Sequence, residues 1–285
     1  GLPDMTIEEA ARAGAQTLVV GVANRGGVIS QPWVEALKSG LEAGMDLAAG
    51  LHNRLRDVPE LAETAAALGH ALHDVRVPDR VYPIGTGEKR TGRRLLTVGT
   101  DCSCGKMYTT LALEAEMKAR GMDADFRATG QTGILITGEG VPLDAVVADF
   151  ISGAIEQLTP DAAPGHWDLI EGQGSLFHPS FAGVTIGLIH GSQPDALILC
   201  HEPTRTHMRG LPHCGIPPME AVMDACLAAA RLTNPEARFT GVSVNTHALG
   251  PDEAMARLRE IERDLGLPAV DPVRTGVGPL VEALE

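Results

Sequence analysis

A lysine that directly follows a glycine-bounded loop, Gly99-Thr100-Asp101-Cys102-Ser103-Cys104-Gly105-Lys106, is the strongest chemical signal in this sequence. The apolar run Leu95-Leu96-Thr97-Val98 leads into it, and a helical pattern carrying Leu111, Leu113, Ala115 and Met117 leads out. In such a turn, loop N–H groups and a helix N-terminus converge on one point and the lysine adds a charge. The chemistry is anion binding, phosphate above all. Two features depart from the G-x-x-x-x-G-K-[ST] pattern. Five residues separate the glycines, and Met107 stands where a hydroxyl would hold Mg²⁺. Ser103 and Thr109 are the nearby hydroxyls that could replace it. Asp101, inside the loop, is suited either to ordering the amides or to accepting a proton.

Glu171 is the second centre. It ends the run Trp167-Asp168-Leu169-Ile170 and opens Gly172-Gln173-Gly174. A carboxylate at a strand tip beside a phosphate cradle can hold Mg²⁺ or act as a base. The plain alternative is a rim acid paired with an arginine. Asn245, after Gly241-Val242-Ser243-Val244, is placed to read an adenine edge or simply to close a turn. Arg127, Arg205 and Arg209 are the cations suited to a carboxylate ligand, because a guanidinium matches it bidentately. His201 is a candidate proton carrier. Cys102-x-Cys104 and the His201–His207 pair have no recognised zinc spacing, so no metal site is expected.

These residues need strand ends to stand on. Residues 1–90 read as β–α–β–α–β. A continuous buried strand spans Thr17 to Ala23, and a second runs from Met45 to Ala49. Helices start near Pro32 and Pro59, where a missing proline N–H costs nothing, and a short strand follows at Leu72–Val75. Both long strands end in loops with Asn and Arg: Asn24-Arg25-Gly26-Gly27 and His52-Asn53-Arg54. The abrupt opening at Gly1-Leu2-Pro3 suggests a strand lacking upstream. A Pro/Gly-rich stretch from Val77 to Gly92 marks a boundary. Residues 91–285 continue the alternation. Ala124 to Gly133 reads as a strand running into a Gly/Thr/Gln loop, and further strands are expected at Trp167–Ile170, Asp195–Cys200 and Phe239–Val244. Helices are expected near Pro142–Leu158, Pro218–Leu232 and Pro251–Leu265. The fold class is therefore α/β with parallel sheets, and ligands belong beyond the strand carboxyl ends.

Composition narrows the function. The chain has 285 residues, 44% hydrophobic and only 3% aromatic, which suits an Ala/Leu/Val/Ile core in two domains. A net charge of -14 argues against nucleic acid as a partner, since phosphate backbones need a positive face. No apolar run is long enough for a membrane span, and no signal peptide is visible. Five scattered cysteines read as free thiols in a reducing cytosol. Small-molecule substrates, a cytoplasmic location and a symmetric homo-oligomer are the expectations.

The loop Gly99 to Lys106 resembles the G-T-D-x-x-x-G-K loop of dethiobiotin synthetase and its P-loop relatives. Ile170-Glu171-Gly172-Gln173-Gly174 is similar to their V-E-G-x-G strand tip, where the Glu helps bind Mg²⁺. Asn245 falls where they place a base-reading Asn. A closer resemblance spans nearly the whole chain. It covers Asn24-Arg25-Gly26-Gly27, Gly50-Leu51-His52, Gly99–Met107, Arg127–Gly133, Glu171–Ser175 and His201-Glu202-Pro203-Thr204-Arg205. These look like the bacterial D-glutamate N-acetyltransferase family, long carried as a domain of unknown function. That resemblance implies a Rossmann-like N-terminal domain and a P-loop-like C-terminal domain. It also implies acetyl-CoA as donor, the D-glutamate amine as acceptor, and a place in D-glutamate catabolism.

On that resemblance, Gly99, Thr100, Cys102, Ser103, Cys104, Gly105, Lys106, Met107, Tyr108 and Asn245 would hold the donor. Glu171 or Asp101 would be the base, and loop amides or Lys106 would meet the oxyanion. Asn24, Arg25, Gly26, Arg127, Gln131 and Arg205 would hold the acceptor. Coenzyme A carries phosphates that a cradle can anchor without hydrolysing a nucleotide, so the missing hydroxyl at Met107 is no obstacle. Two alternatives stand beside this reading: an ATP- and Mg²⁺-dependent C–N ligase or kinase, and a nucleotide-binding regulatory module.

Overall fold

The computed structural model describes residues 3–22, 27–78 and 80–284. It divides into two units, Gly1–Asp79 and Arg80–Glu285.

The first unit opens with a capping box. The Thr6 hydroxyl accepts from the Glu9 N–H, and the Glu9 carboxylate accepts from the Thr6 N–H, which starts α1 (Ile7–Arg12). Then come β1 (Thr17–Val20), α2 (Gln31–Glu42), β2 (Asp46–Ala49), α3 (Pro59–Leu68) and β3 (Leu72–Asp74). The three strands form a parallel sheet in the order β1-β2-β3. Leu37, Leu41, Leu47, Leu55 and Leu61 fill its core. Strand β1 corrects the expectation of a buried strand reaching Ala23. It ends at Val20, it is an edge among the described strands, and Val19 is 46% exposed. The two strand-end loops meet where the Asn53 N–H donates to the Gly27 carbonyl at 3.3 Å.

In the second unit, residues 80–92 run as extended chain held by side chains from further on. Glu156 accepts from the Thr86 and Gly87 N–H groups, and Asp161 accepts from that of Thr91. The elements that follow are β4 (Arg93–Gly99), α4 (Lys106–Ala119), β5 (Ala124–Arg127), α5 (Gln131–Thr137), α6 (Ile151–Leu158), β6 (Trp167–Ile170) and α7 (Ala182–Ser192). The chain continues through β7 (Ala196–His201), β8 (His207–Met208), β9 (Leu211–Gly215), α8 (Met219–Ala230), β10 (Arg238–Val244), α9 (Pro251–Leu265), β11 (Ala269–Val270) and α10 (Gly278–Glu282). Six parallel strands order as β11-β10-β7-β4-β6-β5, and β8 pairs with β9 in an antiparallel hairpin. Helices α4 and α10 pack on one face of the sheet, and α6, α7, α8 and α9 on the other. Among the described residues no helix is long and apolar enough to cross a membrane.

Topology explains where a site can form. From β4 the chain first builds β5 and β6 on one side, then crosses to β7 on the other. The carboxyl end of β4 is thus the switch point, where the connections diverge and leave a crevice.

Three expectations need correction. The helix expected over 142–158 is two 3₁₀ turns, Leu143–Ala145 and Ala148–Phe150, followed by α6. Two β-branched residues, Val146 and Val147, sit between those turns in extended conformation and interrupt the helix. Helix α7 is the second difference: it is largely apolar on every side and so shows no helical period in the sequence. Its Gly191 allows close packing on α6, since a Cβ there would lie 2.5 Å from the Ser152 carbonyl oxygen. Helix α5 occupies what reads as loop, for a reason that lies in the site.

Ile198 on β7 is fully buried between β4 and β10. Truncation to alanine should cost about 2–5 kcal/mol in urea unfolding of the second unit. A loss well under 1 kcal/mol would contradict this packing.

Candidate active site

The loop between β4 and α4 is built to leave its amides open. Ser103 (φ 51°) and Gly105 (φ 110°) both take left-handed backbone, which turns successive N–H groups inwards. Among the described residues, the N–H groups of Ser103, Gly105, Lys106, Met107 and Tyr108 meet no acceptor. The last three are the unpaired donors that every helix start leaves over. The Lys106 side chain is buried, and its Nζ donates to the Asp101 carbonyl oxygen at 2.9 Å. Its stem runs against Gly172, where a Cβ would fall 2.9 Å from Lys106 Cδ and collide with the Thr97 carbonyl. Only glycine fits there.

Asp101 is the knot of the loop. It is 1% exposed, and both carboxylate oxygens are taken. Oδ1 accepts from the Cys102 N–H at 2.7 Å, and Oδ2 accepts from Arg205 Nη1 at 2.6 Å and the Arg209 N–H at 2.9 Å. Arg205 also donates to the Cys102 carbonyl at 2.7 Å and to Glu202 Oε2 at 3.0 Å. Burial works against both charges, but the pairing outweighs it: the Arg205 pKa is raised and that of Glu202 lowered. Arg205 is thus a strap on the loop, with its guanidinium spent. Arg127 is spent as well, its Nε on buried Asp168 at 2.6 Å.

Glu171 stands at the tip of β6, next to β4. Its Oε2 accepts from the Thr129 and Gly130 N–H groups at 3.0 and 3.1 Å, and Oε1 accepts from Gln173 Nε2 at 3.1 Å. The carboxylate therefore sits at the entrance of α5, and Gly133 is needed because a Cβ would lie within van der Waals radius of Oε2. This long-range contact fixes the two residues that lead into α5. Burial pushes the Glu171 pKa up, and it stays raised although the two amides, Lys106 and Gln173 all pull it down.

Other candidates fall into place around this pair. Thr109 is unavailable to a metal: its hydroxyl donates to the Gly105 carbonyl and meets Ser243 Oγ at 2.7 Å. Met107 is half-buried, while Tyr108 and Ser103 are exposed. Asn245 Oδ1 accepts from the His247 N–H at 3.3 Å, as a turn asparagine does. Thr100 bonds His201 Nδ1 at 3.0 Å. Burial, then the Arg257 charge, lowers the His201 pKa to about 4, so at neutral pH it is a neutral ring and a weak base. Burial lifts the Cys102 thiol to about 11, which removes it as a nucleophile near neutrality. Cys104 is buried under the loop, its Sγ 3.2 Å from the Asp101 carbonyl oxygen. Gln131 is half-buried in the first turn of α5. Asn24, Arg25 and Gly26 lie outside the described residues. Asp101, Cys102 and His178 approach one another within 4.8 Å, but Asp101 and His178 already spend their polar atoms on protein partners. Sequence reasoning passed over Gln173 as a site residue, although its place between two glycines beside Glu171 was the available signal.

A parallel sheet with an open-amide loop and a lysine at the helix start, all at the switch point, defines a P-loop-type domain. The chain belongs to the DUF1611 family: residues 83–281 match its P-loop domain and residues 1–78 its Rossmann-like N-terminal domain, both described as domains of unknown function. A curated D-glutamate N-acetyltransferase from Tritonibacter scottomollicae is 64% identical over 284 residues, covering 100% of this chain and 85% of that protein. One of the same name from Pseudoalteromonas sp is 51% identical, covering 100% and 86%. The crystal structure of a DUF1611 family protein from Anabaena variabilis superposes with a TM-score of 0.89 at 38% identity, covering 98% of this chain and 82% of the other.

Two outcomes follow for the strap and its neighbour. Arg205→Ala leaves Asp101 buried with its cation gone, and should cost about 3–5 kcal/mol in urea unfolding; a change within 0.5 kcal/mol of zero, the rough range of surface substitutions, would show that the strap bears no load. His201 in the folded chain refuses a proton down to about pH 4, whereas the unfolded chain takes it up near its ordinary value of 6.5. Its contribution to stability is therefore lost as pH falls through that window. His201→Gln should lose less stability than the wild type on acidification, and an equal loss would contradict the assignment.

Proposed function

We propose that this protein moves the acetyl group of acetyl-CoA to the amine of D-glutamate. The observation that carries the reading is a buried, raised-pKa carboxylate, Glu171, beside a nest of unpaired amides and a lysine. The names of the curated relatives, which align over the full length of this chain, supply the acceptor.

The residues divide the work as follows. Open amides from Gly105 to Tyr108, with Lys106, hold a phosphate of the donor, as helix starts do. Glu171 takes a proton from the acceptor's ammonium group. Its raised pKa makes it a stronger base than an ordinary carboxylate, and its three hydrogen bonds fix where it points. The freed amine attacks the thioester carbon, and the carbonyl oxygen becomes an oxyanion that Lys106 or a loop N–H stabilises. Collapse breaks the C–S bond. The departing thiolate takes up the proton held by Glu171, the nitrogen sheds its second proton to solvent, and N-acetyl-D-glutamate and free coenzyme A result. Burial pushes the Cys102 thiol up to about 11, which disfavours it as an acyl carrier and favours direct transfer. A cytoplasmic setting fits the chain's five free cysteines, three of them buried.

Incubation with acetyl-CoA and D-glutamate should release free thiol, while ATP with Mg²⁺ should release no phosphate. The reverse result would favour the ligase or kinase chemistry. Glu171→Gln should lower the transfer rate by roughly 10²- to 10⁴-fold, and full thiol release by that variant would remove Glu171 as the base. The acidic limb of the wild-type kcat/KM profile should lie above the usual carboxylate range.

A further inference from the structure

Arg209 enters none of the ion pairs described above. Its backbone is pinned at both ends: the N–H donates to Asp101 Oδ2 at 2.9 Å, and the carbonyl lies 3.2 Å from His178 Nε2. The Ser180 N–H donates to His178 Nδ1, so the ring proton sits on Nε2 and is directed at Arg209. Phe181 stacks on that ring with centroids 4.7 Å apart. The residue is thus held by two buried side chains, Asp101 and His178.

Its guanidinium is treated differently. Arg209 is exposed, and among the described residues no carboxylate or carbonyl meets its side chain. Arg209 also lines a shallow, open cleft of about 430 Å³ with Arg205 and with His207, Met208, Leu211 and Pro212 of the β8–β9 hairpin.

We propose that Arg209 binds a carboxylate of the acceptor amino acid in the hairpin cleft, beside the phosphate held by the loop. The assignment rests on the acetyltransferase reading. Of the three arginines suited to a carboxylate ligand, Arg127 and Arg205 are spent on Asp168 and Asp101, and Arg209 alone offers both guanidinium edges. The loop already supplies amides and Lys106 to a phosphate, so a second cation at its lip serves the other substrate. Asp101 then has a second duty: one carboxylate fixes the phosphate loop and, through the Arg209 N–H, the arm that holds the acceptor.

Steady-state kinetics of Arg209→Gln and Arg209→Lys test this. Arg209→Gln should raise the KM for D-glutamate by about tenfold or more, the loss of a charge-assisted pair. Arg209→Lys should recover part of that loss, with the KM for acetyl-CoA and the thermal midpoint unchanged in both. A rise in the acetyl-CoA KM instead, or no change in either, overturns the assignment while leaving the acetyltransferase reading in place. If the wild type makes no N-acetyl-D-glutamate, that reading itself fails. Calorimetric binding of D-glutamate to wild type and Arg209→Gln then decides the cleft separately: equal affinity, or none, rejects it.

Discussion

A loop cannot both pair its amides internally and offer them to a ligand. Here the backbone between β4 and α4 gives up internal bonds, so something else must hold it in shape. The Asp101 carboxylate does this, accepting from its neighbour's N–H, from Arg205 and from the Arg209 N–H. Buried and fully occupied, it cannot also be a base that comes and goes with substrate. Arg205 carries the same constraint outward to Glu202 at the end of β7. Strand tip, hairpin and the β4–α4 loop are therefore fastened at one point. Side chains keep the amides free by replacing the backbone bonds that would otherwise order the turn.

The same logic applies at β6. Glu171 closes the N-terminus of α5 with one oxygen and accepts from Gln173 with the other, yet burial keeps its proton affinity raised. Two amides alone would make it an ordinary low-pKa cap. Burial sets it apart from that cap and gives it chemistry. Glycines at 130, 133 and 172 are what allow backbone, carboxylate and lysine stem to crowd together, since a Cβ at each would strike one of the others.

Much of this was legible in the sequence because its signals are local. A buried β-branched or apolar run followed by glycine, and proline at a helix start, located β4, β6, β7, β10, α3 and α9 closely. The loop, Lys106 and Glu171 were readable from glycines beside charged residues. What escaped depends on partners far away. Arg127 and Arg205 looked like free ligand cations, but their carboxylates lie 41 and 104 residues off. The entry to α5 is held by a carboxylate 41 residues on. Helix α7 is apolar on every side and so carries no period. The β8–β9 hairpin is short and polar, with neither strand alternation nor an Asn-Gly turn to announce it.

The central claim is that the amides from Gly105 to Tyr108 exist to grip a phosphate of the acyl donor, with Glu171 working alongside. A crystal structure with coenzyme A bound tests it most directly. The account predicts diphosphate oxygens on those N–H groups, the Lys106 ammonium turned from the Asp101 carbonyl towards them, and the thiol end facing Glu171. Coenzyme A seated elsewhere, with those amides facing water, would contradict it.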